Sequence, residues 1–260
     1  MDNPSGPARG SGLGEPKFNI DESEFIPYHI MHNVLMTYAS APFTGSWGRP
    51  QRDGPALRAT ALITLANHFI SKGNMTFAQG TLWPMIMLDL DYVAQYWNQT
   101  SFDLWEEVSS SSFFTTAVQH RSLREGIALA QEIGNTANVA TWETQASNVL
   151  CFLQSYWTGD SIKANTGGGR SGIDVNTILG SVHSFSSNAG CDANTFQPCS
   201  DKALAGHKVL VDSFRGSLYP INDGIAANAA VAIGRYKEDV YYSELLLNVL
   251  VTKSLMHVDL

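Results

Sequence analysis

Helical runs separated by long polar loops constrain the fold of this chain more than any other sequence feature. In the run that starts at Pro55, Leu57, Ala61 and Leu65 recur at helical spacing, and Gly73 stands where a helix would end. Similar patterns predict helices over 82–96, 113–134, 141–157, 175–179, 201–216 and 225–234. Alternation typical of strands is nearly absent. The sequence therefore predicts an all-α fold.

The connections between these helices are long and rich in Gly, Asn and Ser, as in 164–174 and 184–200. Tight helix bundles use connections of about 2–8 residues. Long loops gathered at one end of a set of helices are typical of an α/α toroid, and the length of 260 residues fits one or two domains.

Composition excludes several classes of partner. The 24 acidic residues outnumber 16 basic ones, giving a formal net charge of −8. This balance argues against nucleic acid and anionic membranes as partners. No apolar run reaches the roughly 18 residues of a membrane span, and the Gly/Pro/Ser-rich residues 1–18 lack the apolar part of a signal peptide.

One segment, residues 92–121, places carboxylates among aromatic side chains. Asp103, Glu106 and Glu107 surround Trp105 in the run DLWEE. A carboxylic acid held against an indole has a raised pKa, and a glycosidase uses such an acid to protonate the leaving sugar oxygen. The alternative is a solvated helix N-terminus, where acids are favoured by the helix dipole.

Cysteines and glycosylation sequons indicate an extracellular protein whose export signal is not in this chain. Cys191 and Cys199 flank a short polar loop that a disulfide could close, and Cys151 is left over in an apolar run. Asn74 and Asn98 each begin an N-glycosylation sequon.

Two other patterns predict no chemistry. His29 and His32 have a metal-like spacing but no third ligand, so we expect no metal site and no cofactor. The run from Gly167 to Arg170 lacks the lysine and hydroxyl of a phosphate loop and is interpreted as a flexible loop.

Several long segments together resemble the fungal glucoamylases of glycoside hydrolase family 15. They are residues 12–22, 43–61, 92–108, 113–126, 191–208, 212–226 and 232–242. The resemblance implies an (α/α)6 toroid, of which this chain would supply about the middle half. It also implies a monomeric exo-acting hydrolase that releases β-D-glucose from the non-reducing ends of starch and maltooligosaccharides by inversion.

The resemblance assigns roles within the run DLWEE. Glu106 matches the general acid, and Glu107 matches a carboxylate that binds substrate hydroxyls. Leu104 and Trp105 match residues that flank the sugar pocket. Asp103, expected one helical turn before Glu106, matches a motif aspartate to which a proton-acceptor role has been given.

Further roles fall outside that run. Trp47 matches a tryptophan on which the sugar stacks, and Arg235 and Asp239 match a substrate-clamping arginine and a nearby acid. The alternatives are a core indole for Trp47 and a surface ion pair for Arg235. Cys151 is expected to be a buried free thiol, because the family pairs this position with a cysteine in a half that is missing here.

Two segments depart from the family pattern. Residues 26–42 interrupt a stretch that is continuous in the family, and residues 243–260 no longer resemble it. We therefore expect one partial catalytic domain over 1–260, with an aberrant insert and a non-family tail. The general base and the clamp for the terminal glucose are expected to be missing.

Inversion requires a second carboxyl about 6.5–9.5 Å from the acid. Asp53, Asp174 and Asp223 are loop acids that could approach the pocket, and nothing in the sequence selects one. The alternative function is a truncated non-catalytic or carbohydrate-binding remnant that uses Trp47 and the DLWEE loop without turnover.

Overall fold

The computed structural model describes residues 48–239, the short segments 2–3 and 6–7, and residue 13. Its α-helices are α1 (Asp53–Ser71), α2 (Met75–Phe77), α3 (Trp83–Tyr96), α4 (Phe113–Glu132), α5 (Val139–Leu153), α6 (Asn176–His183) and α7 (Asp201–Ser213). A π-helical stretch, Ala78–Leu82, joins α2 to α3, and 3-10 turns lie at Gln154–Tyr156 and Pro220–Asn222. The all-α prediction is confirmed over this part of the chain.

Two small antiparallel hairpins complete the described structure. Strand β1 (Asp2–Asn3) pairs with β2 (Gly6–Pro7), and β3 (Ser101–Phe102) pairs with β4 (Ser109–Ser110). In the second hairpin Ser101 lies opposite Ser110. The residues between β3 and β4 are those of the DLWEE run, so this run is a hairpin loop and not a helix start.

The predicted helix over 225–234 is wrong. This stretch is irregular because the buried Asn222 amide binds its backbone. Asn222 Nδ2 donates to the Ala232 carbonyl at 2.8 Å, and the Ala232 N–H donates to Asn222 Oδ1 at 2.8 Å. The same amide donates to the Phe214 carbonyl. A helix over 225–234 would need the Ala232 N–H for its own hydrogen bond.

The predicted apolar stripe of α1 is also displaced. Leu65 is 41% exposed, and Ala61 is exposed as well. The buried face consists mainly of small residues, which allow α1 to pack closely on α3 and α4: Ala56, Ala59, Ile63 and Ala66.

Helix α4 lies at the centre of the described core. Residues 113–120 are buried without interruption, so its first two turns contact protein on every side. Phe113 makes edge-to-face contacts with Tyr156 and Phe196, with ring centroids 5.7 and 5.1 Å apart. Burial of each such side chain stabilises the fold by about 2–3 kcal/mol. The aromatic cluster thereby fixes the N-terminal end of α4, which follows the β3–β4 hairpin.

The cysteines are arranged partly as predicted. A disulfide joins Cys191 and Cys199, with Cα atoms 4.9 Å apart, which confirms that pairing. Cys151 is a free thiol, but it is exposed and not buried. Helix α5 buries Val149 and Leu153, and position 151 falls on the opposite face of the helix.

Both sequon asparagines are exposed. Asn74 Oδ1 accepts the Phe77 N–H at 3.2 Å and so caps α2.

None of the helices between residues 48 and 239 combines the length and the apolar character that crossing a bilayer requires. The predicted insert 26–42, the predicted tail 243–260, His29, His32 and Trp47 lie outside the described residues.

Candidate active site

Residues 103–108, here called the acid loop, connect β3 to β4 and are organised by one buried carboxylate. Asp103 has no exposed surface. Its Oδ1 accepts the backbone N–H groups of Glu107 at 3.0 Å and Val108 at 3.1 Å. Its Oδ2 accepts from Asn165 Nδ2 at 3.3 Å. Asp103 is therefore the internal anchor of the loop, and it does not stand one helical turn before Glu106.

Glu106 is presented to solvent from this loop. It is exposed, and its backbone has φ of +60°. This left-handed conformation is uncommon for a residue other than glycine, and residues in such conformations cluster at functional sites. Its N–H donates to the Asp103 carbonyl at 2.9 Å, which closes the tight turn.

Gly48 packs against the backbone of Glu106. A Cβ atom at position 48 would lie 2.6 Å from Glu106 Cβ and 2.7 Å from its carbonyl oxygen, distances that no real Cβ contact allows. The Phe102 N–H donates to the Pro50 carbonyl at 2.8 Å and holds this segment beside β3. Only glycine fits where the segment passes Glu106.

Glu107 is fixed by three donors from distant segments. Arg170 Nη2 and the Tyr236 hydroxyl each lie 2.5 Å from Oε2, and Arg235 Nη1 lies 2.9 Å from Oε1. Partial burial favours the neutral acid, but the hydrogen bonds from Tyr236, Arg235 and Arg170 outweigh it and lower the pKa of Glu107. Glu107 is therefore an ionised carboxylate at neutral pH.

Arg235 is shared between two carboxylates and an aromatic ring. Its Nε and Nη2 donate to the two oxygens of Asp239 at 2.8 and 2.6 Å, a bidentate pair. Its guanidinium carbon lies 5.3 Å from the centre of the Trp105 ring, within range of a cation–π contact. The hydrogen bonds that Arg235 donates to Asp239 raise the pKa of the guanidinium above its usual value, against the smaller effect of burial.

Tyr236 presents a neutral hydroxyl to Glu107. Burial, together with the neighbouring Glu107 carboxylate, raises the pKa of the Tyr236 phenol to about 12. Its ring also lies beneath Arg170, whose guanidinium carbon is 4.0 Å from the ring centre. The arginine is therefore held over the ring while it binds the carboxylate.

Leu104 and Trp105 lie between Asp103 and Glu106 in the acid loop. Leu104 is half-buried and packs against the helical core. The indole Nε1 of Trp105 donates to both oxygens of Asp174, at 3.1 Å each. The two residues that were expected to flank a sugar pocket thus link the acid loop to the core and to Asp174.

The three acids considered as alternative bases have different surroundings. Asp174 is buried, and burial raises its pKa to about 6 against the opposing hydrogen bonds from Asn176 and Trp105. Asp53 is buried at the start of α1, and burial raises its pKa, as do the negative charges of Asp103 and Glu106. Asp223 is exposed in a turn.

Sequence reasoning missed Arg170, Tyr236, Asn165 and Gly48. Arg170 follows a run of glycines that was interpreted as a flexible loop. Gly168, with φ of +95°, passes so close to the acid loop that its Cβ would lie 2.5 Å from Val108 Cγ1. The glycines allow this close approach. The arginine directly after them was a sequence signal for a residue that binds the acid loop.

The predicted stacking residue, Trp47, directly precedes Gly48 but is not among the described residues, so its role stays a prediction. Between residues 48 and 239, no group of three or more His, Cys, Asp and Glu side chains is arranged to hold a metal ion.

The described structure thus presents two neighbouring glutamates from a hairpin loop on a helical scaffold. The profile of Glycosyl hydrolases family 15 matches residues 1–249, and the chain belongs to this family. It is 58% identical over 245 residues to Glucoamylase-1 of Schizophyllum commune, covering 94% of this chain and 39% of that protein. It is 49% identical over 245 residues to the glucoamylase of Neurospora crassa, covering 94% and 36%.

Solved structures give the same result. The family 15 glucoamylase from Hypocrea jecorina superposes with a TM-score of 0.81 at 53% identity, covering 93% of this chain and 38% of that one. The Hormoconis resinae glucoamylase gives 0.80 at 49% identity with the same coverage. The predicted (α/α)6 fold class is thereby confirmed. The chain spans less than two-fifths of the length of these relatives.

Proposed function

We propose that this chain carries the general-acid part of a glucoamylase site, which acts on the non-reducing ends of starch-type α-1,4-glucans. The observation that carries the proposal is the pairing of an exposed Glu106 with an immobilised, ionised Glu107 on one short loop. Neighbouring glutamates in such different surroundings are suited to different tasks.

In this proposal Glu106 donates its proton to the glycosidic oxygen as the bond to the anomeric carbon breaks. Water attacks that carbon from the opposite face and loses a proton to a base, so that β-D-glucose is released with inverted configuration. The left-handed turn at Glu106 and the close packing of Gly48 would hold the acid in a fixed position.

Glu107 binds substrate in this proposal and does not transfer protons. Its lowered pKa keeps it charged, and its fixed oxygens can accept hydrogen bonds from sugar hydroxyls. Arg235, oriented by Asp239, would donate to hydroxyls of the same sugar. Trp105 and Leu104 would form the adjacent wall, and Trp47 would provide the stacking face.

We infer that Glu107, Asp103, Asp174 and Asp53 are not suited to be the general base. Glu107 follows Glu106 directly and cannot face it across a sugar ring. Asp103 is fully buried and accepts three hydrogen bonds within the protein. Both oxygens of Asp174 are bound to Trp105, and Asp53 is buried. We therefore expect at most trace hydrolysis from this chain.

A second candidate function follows from the same observation: binding of maltooligosaccharides without turnover. Glu107, Arg235 and Trp105 could bind sugar whether or not a base is present. Both functions use the same ligand, but only the hydrolase converts it to a product.

The deciding experiment combines binding and product analysis. Maltoheptaose binding to the purified 260-residue protein is measured by calorimetry, and the glucose anomer released is measured by NMR. Release of β-glucose that Glu106→Gln abolishes supports the hydrolase. Binding without release supports the second candidate, and absence of both contradicts the proposal.

We also propose that the protein is a secreted glycoprotein. The disulfide between Cys191 and Cys199 is typical of an oxidising compartment, and the exposed Asn74 and Asn98 can accept glycans. Glycopeptide mapping after expression through the secretory pathway of a fungal host tests this. Unmodified asparagines at both positions would contradict the glycoprotein assignment.

A further inference from the structure

Asp174 is a buried carboxylate that none of the proposed catalytic steps uses. It is 3% exposed. Both of its oxygens accept from the Trp105 indole Nε1 at 3.1 Å, and Oδ1 also accepts the N–H of Asn176, the first residue of α6, at 2.8 Å. The carboxylate thus connects the acid loop to the start of α6.

The backbone at this position binds a third part of the chain. Asp174 forms an isolated antiparallel bridge with Tyr236, and the Val175 N–H donates to the Arg235 carbonyl at 2.8 Å. The side chain of Asp174 therefore binds the acid loop while its backbone binds the segment that carries Arg235 and Tyr236.

The acid loop meets the Arg235 side chain at two points. The guanidinium carbon lies 5.3 Å from the Trp105 ring centre, and Nη1 lies 2.9 Å from Glu107 Oε1. Trp105 and Glu107 are two positions apart on the acid loop, so both contacts depend on where that loop lies relative to Arg235. The indole N–H of Trp105 is bound by Asp174.

We propose that Asp174 is a positioning residue that fixes the acid loop relative to Arg235 through the Trp105 indole. Loss of its negative charge weakens the bond to the indole and gives the loop greater freedom at Glu106 and Glu107, while the helices keep their packing. The consequence for sugar chemistry rests on the proposed function, whereas the contact itself does not.

The groups around Asp174 favour control of this contact by pH. Trp105 faces it from the acid loop, Asn176 from α6 and Tyr236 from the adjoining segment. Burial, the largest effect, raises the pKa of Asp174 to about 6; among the charged groups, Asp103 raises it further and Arg170 lowers it. The contact is charge-assisted above that pH and neutral below it, so the loop is held more firmly at neutral pH.

The first test uses the full 260-residue protein labelled with ¹⁵N-tryptophan. The indole signal of Trp105 is assigned by its loss in Trp105→Phe and followed by NMR from pH 4.5 to 8 without sugar. We expect the signal to shift with a midpoint near pH 6 in the parent protein and to lose that transition in Asp174→Asn. The exposed Asp160→Asn is the matched control and keeps the transition.

The second test measures hydrogen exchange at pH 7.5. Asp174→Asn should speed exchange at the Glu107 and Val108 amides about tenfold and leave α7 unchanged, which corresponds to about 1.4 kcal/mol of local opening. A Trp105 signal that does not move with pH overturns the proposal, and so does equal acceleration throughout the protein. If Asp174→Asn does not fold, the titration of the parent protein decides.

A parallel titration with maltoheptaose separates the two proposals. A pH-dependent Trp105 signal without sugar binding or glucose release supports the role of Asp174 and contradicts only the proposed function. Sugar binding with a pH-independent Trp105 signal contradicts only the role of Asp174.

Discussion

Gly48 and Glu106 pack backbone against backbone, so closely that the residue at position 48 can have no side chain. Glu106, the proposed acid, is therefore packed against a segment that lies 58 positions earlier in the chain. A change at Gly48 acts on Glu106 without touching its carboxylate.

We expect Gly48→Ala to lower the free energy of unfolding by about 1–3 kcal/mol, because the added methyl group forces the acid loop to shift. Any sugar affinity should fall with it. The matched control is Gly54→Ala, since a Cβ at Gly54 meets nothing within 4 Å. Urea denaturation measures both variants. Similar effects of the two substitutions would show that the contact with Glu106 has no special weight.

Replacement of Glu107 should separate binding from proton transfer. Glu107→Gln leaves Arg170 and Arg235 without their shared carboxylate, so we expect maltoheptaose affinity to fall about 10- to 100-fold. In an enzyme whose site also contains a general base, Glu106→Gln should leave affinity largely intact and reduce glucose release about 10²- to 10⁴-fold.

Calorimetry gives the affinities, and coupled glucose detection gives the rates. The exposed Glu143→Gln on α5 controls for the loss of one charge. Equal losses of turnover in the two site variants, with equal affinities, would contradict the division of roles.

Stability should depend on pH through His120. Burial lowers its pKa to about 4, with a further lowering by Arg124 and a small opposing effect from Asp192. Below about pH 6.5 the unfolded chain binds a proton that the folded protein does not, so stability falls as the pH drops from 6.5 towards 4. This contribution amounts to about 3 kcal/mol.

In His120→Gln that loss should disappear. The difference in unfolding free energy between the parent and the variant should change by about 3 kcal/mol between pH 7 and pH 4, in favour of the variant at low pH. Asp174 opposes this trend in both proteins, because its raised pKa makes the folded state bind more protons between about pH 4 and 6. A constant difference between the two proteins would contradict the assignment to His120.

The disulfide should stabilise the loop before α7. Its cysteines are 8 positions apart, and closure of so short a loop contributes about 2–3 kcal/mol by the chain-entropy estimate. A Cys191→Ala, Cys199→Ala double variant should lose about that much in urea denaturation. Retention of full stability without the disulfide would show that the loop is ordered by its other contacts.

The exposed Cys151 should react with a thiol reagent in the native protein.

Local patterns in the sequence were sufficient to predict most helices, and long-range contacts were not. The runs that became α3 and α4 were predicted from apolar spacing alone. The helix predicted over 225–234 failed because Asn222 binds its backbone from outside the segment, and spacing within a segment contains no sign of this. Cys151 was placed in the interior because its neighbours are apolar, although the face of α5 decides its exposure.

For the candidate site, resemblance selected the run DLWEE, and the structure brings Glu107, Arg235 and Asp239 together. The contacts that fix these residues come from elsewhere. Arg170 was assigned to a flexible loop, and Asp174 was considered only as a base. Their partners lie more than 60 positions away in the chain, so neither motif nor spacing could connect them.

The network around Glu107 has a consequence for the order of folding. Its partner Arg235 is 128 positions away, whereas the helices α1, α3, α4 and α5 all lie within residues 53–153 and pack against one another. Loops of that length close at a greater entropic cost, so contacts across them form late. We expect the helical signal in circular dichroism to return before the Glu107 network during refolding. A helical spectrum alone would then not show that a preparation has an assembled site.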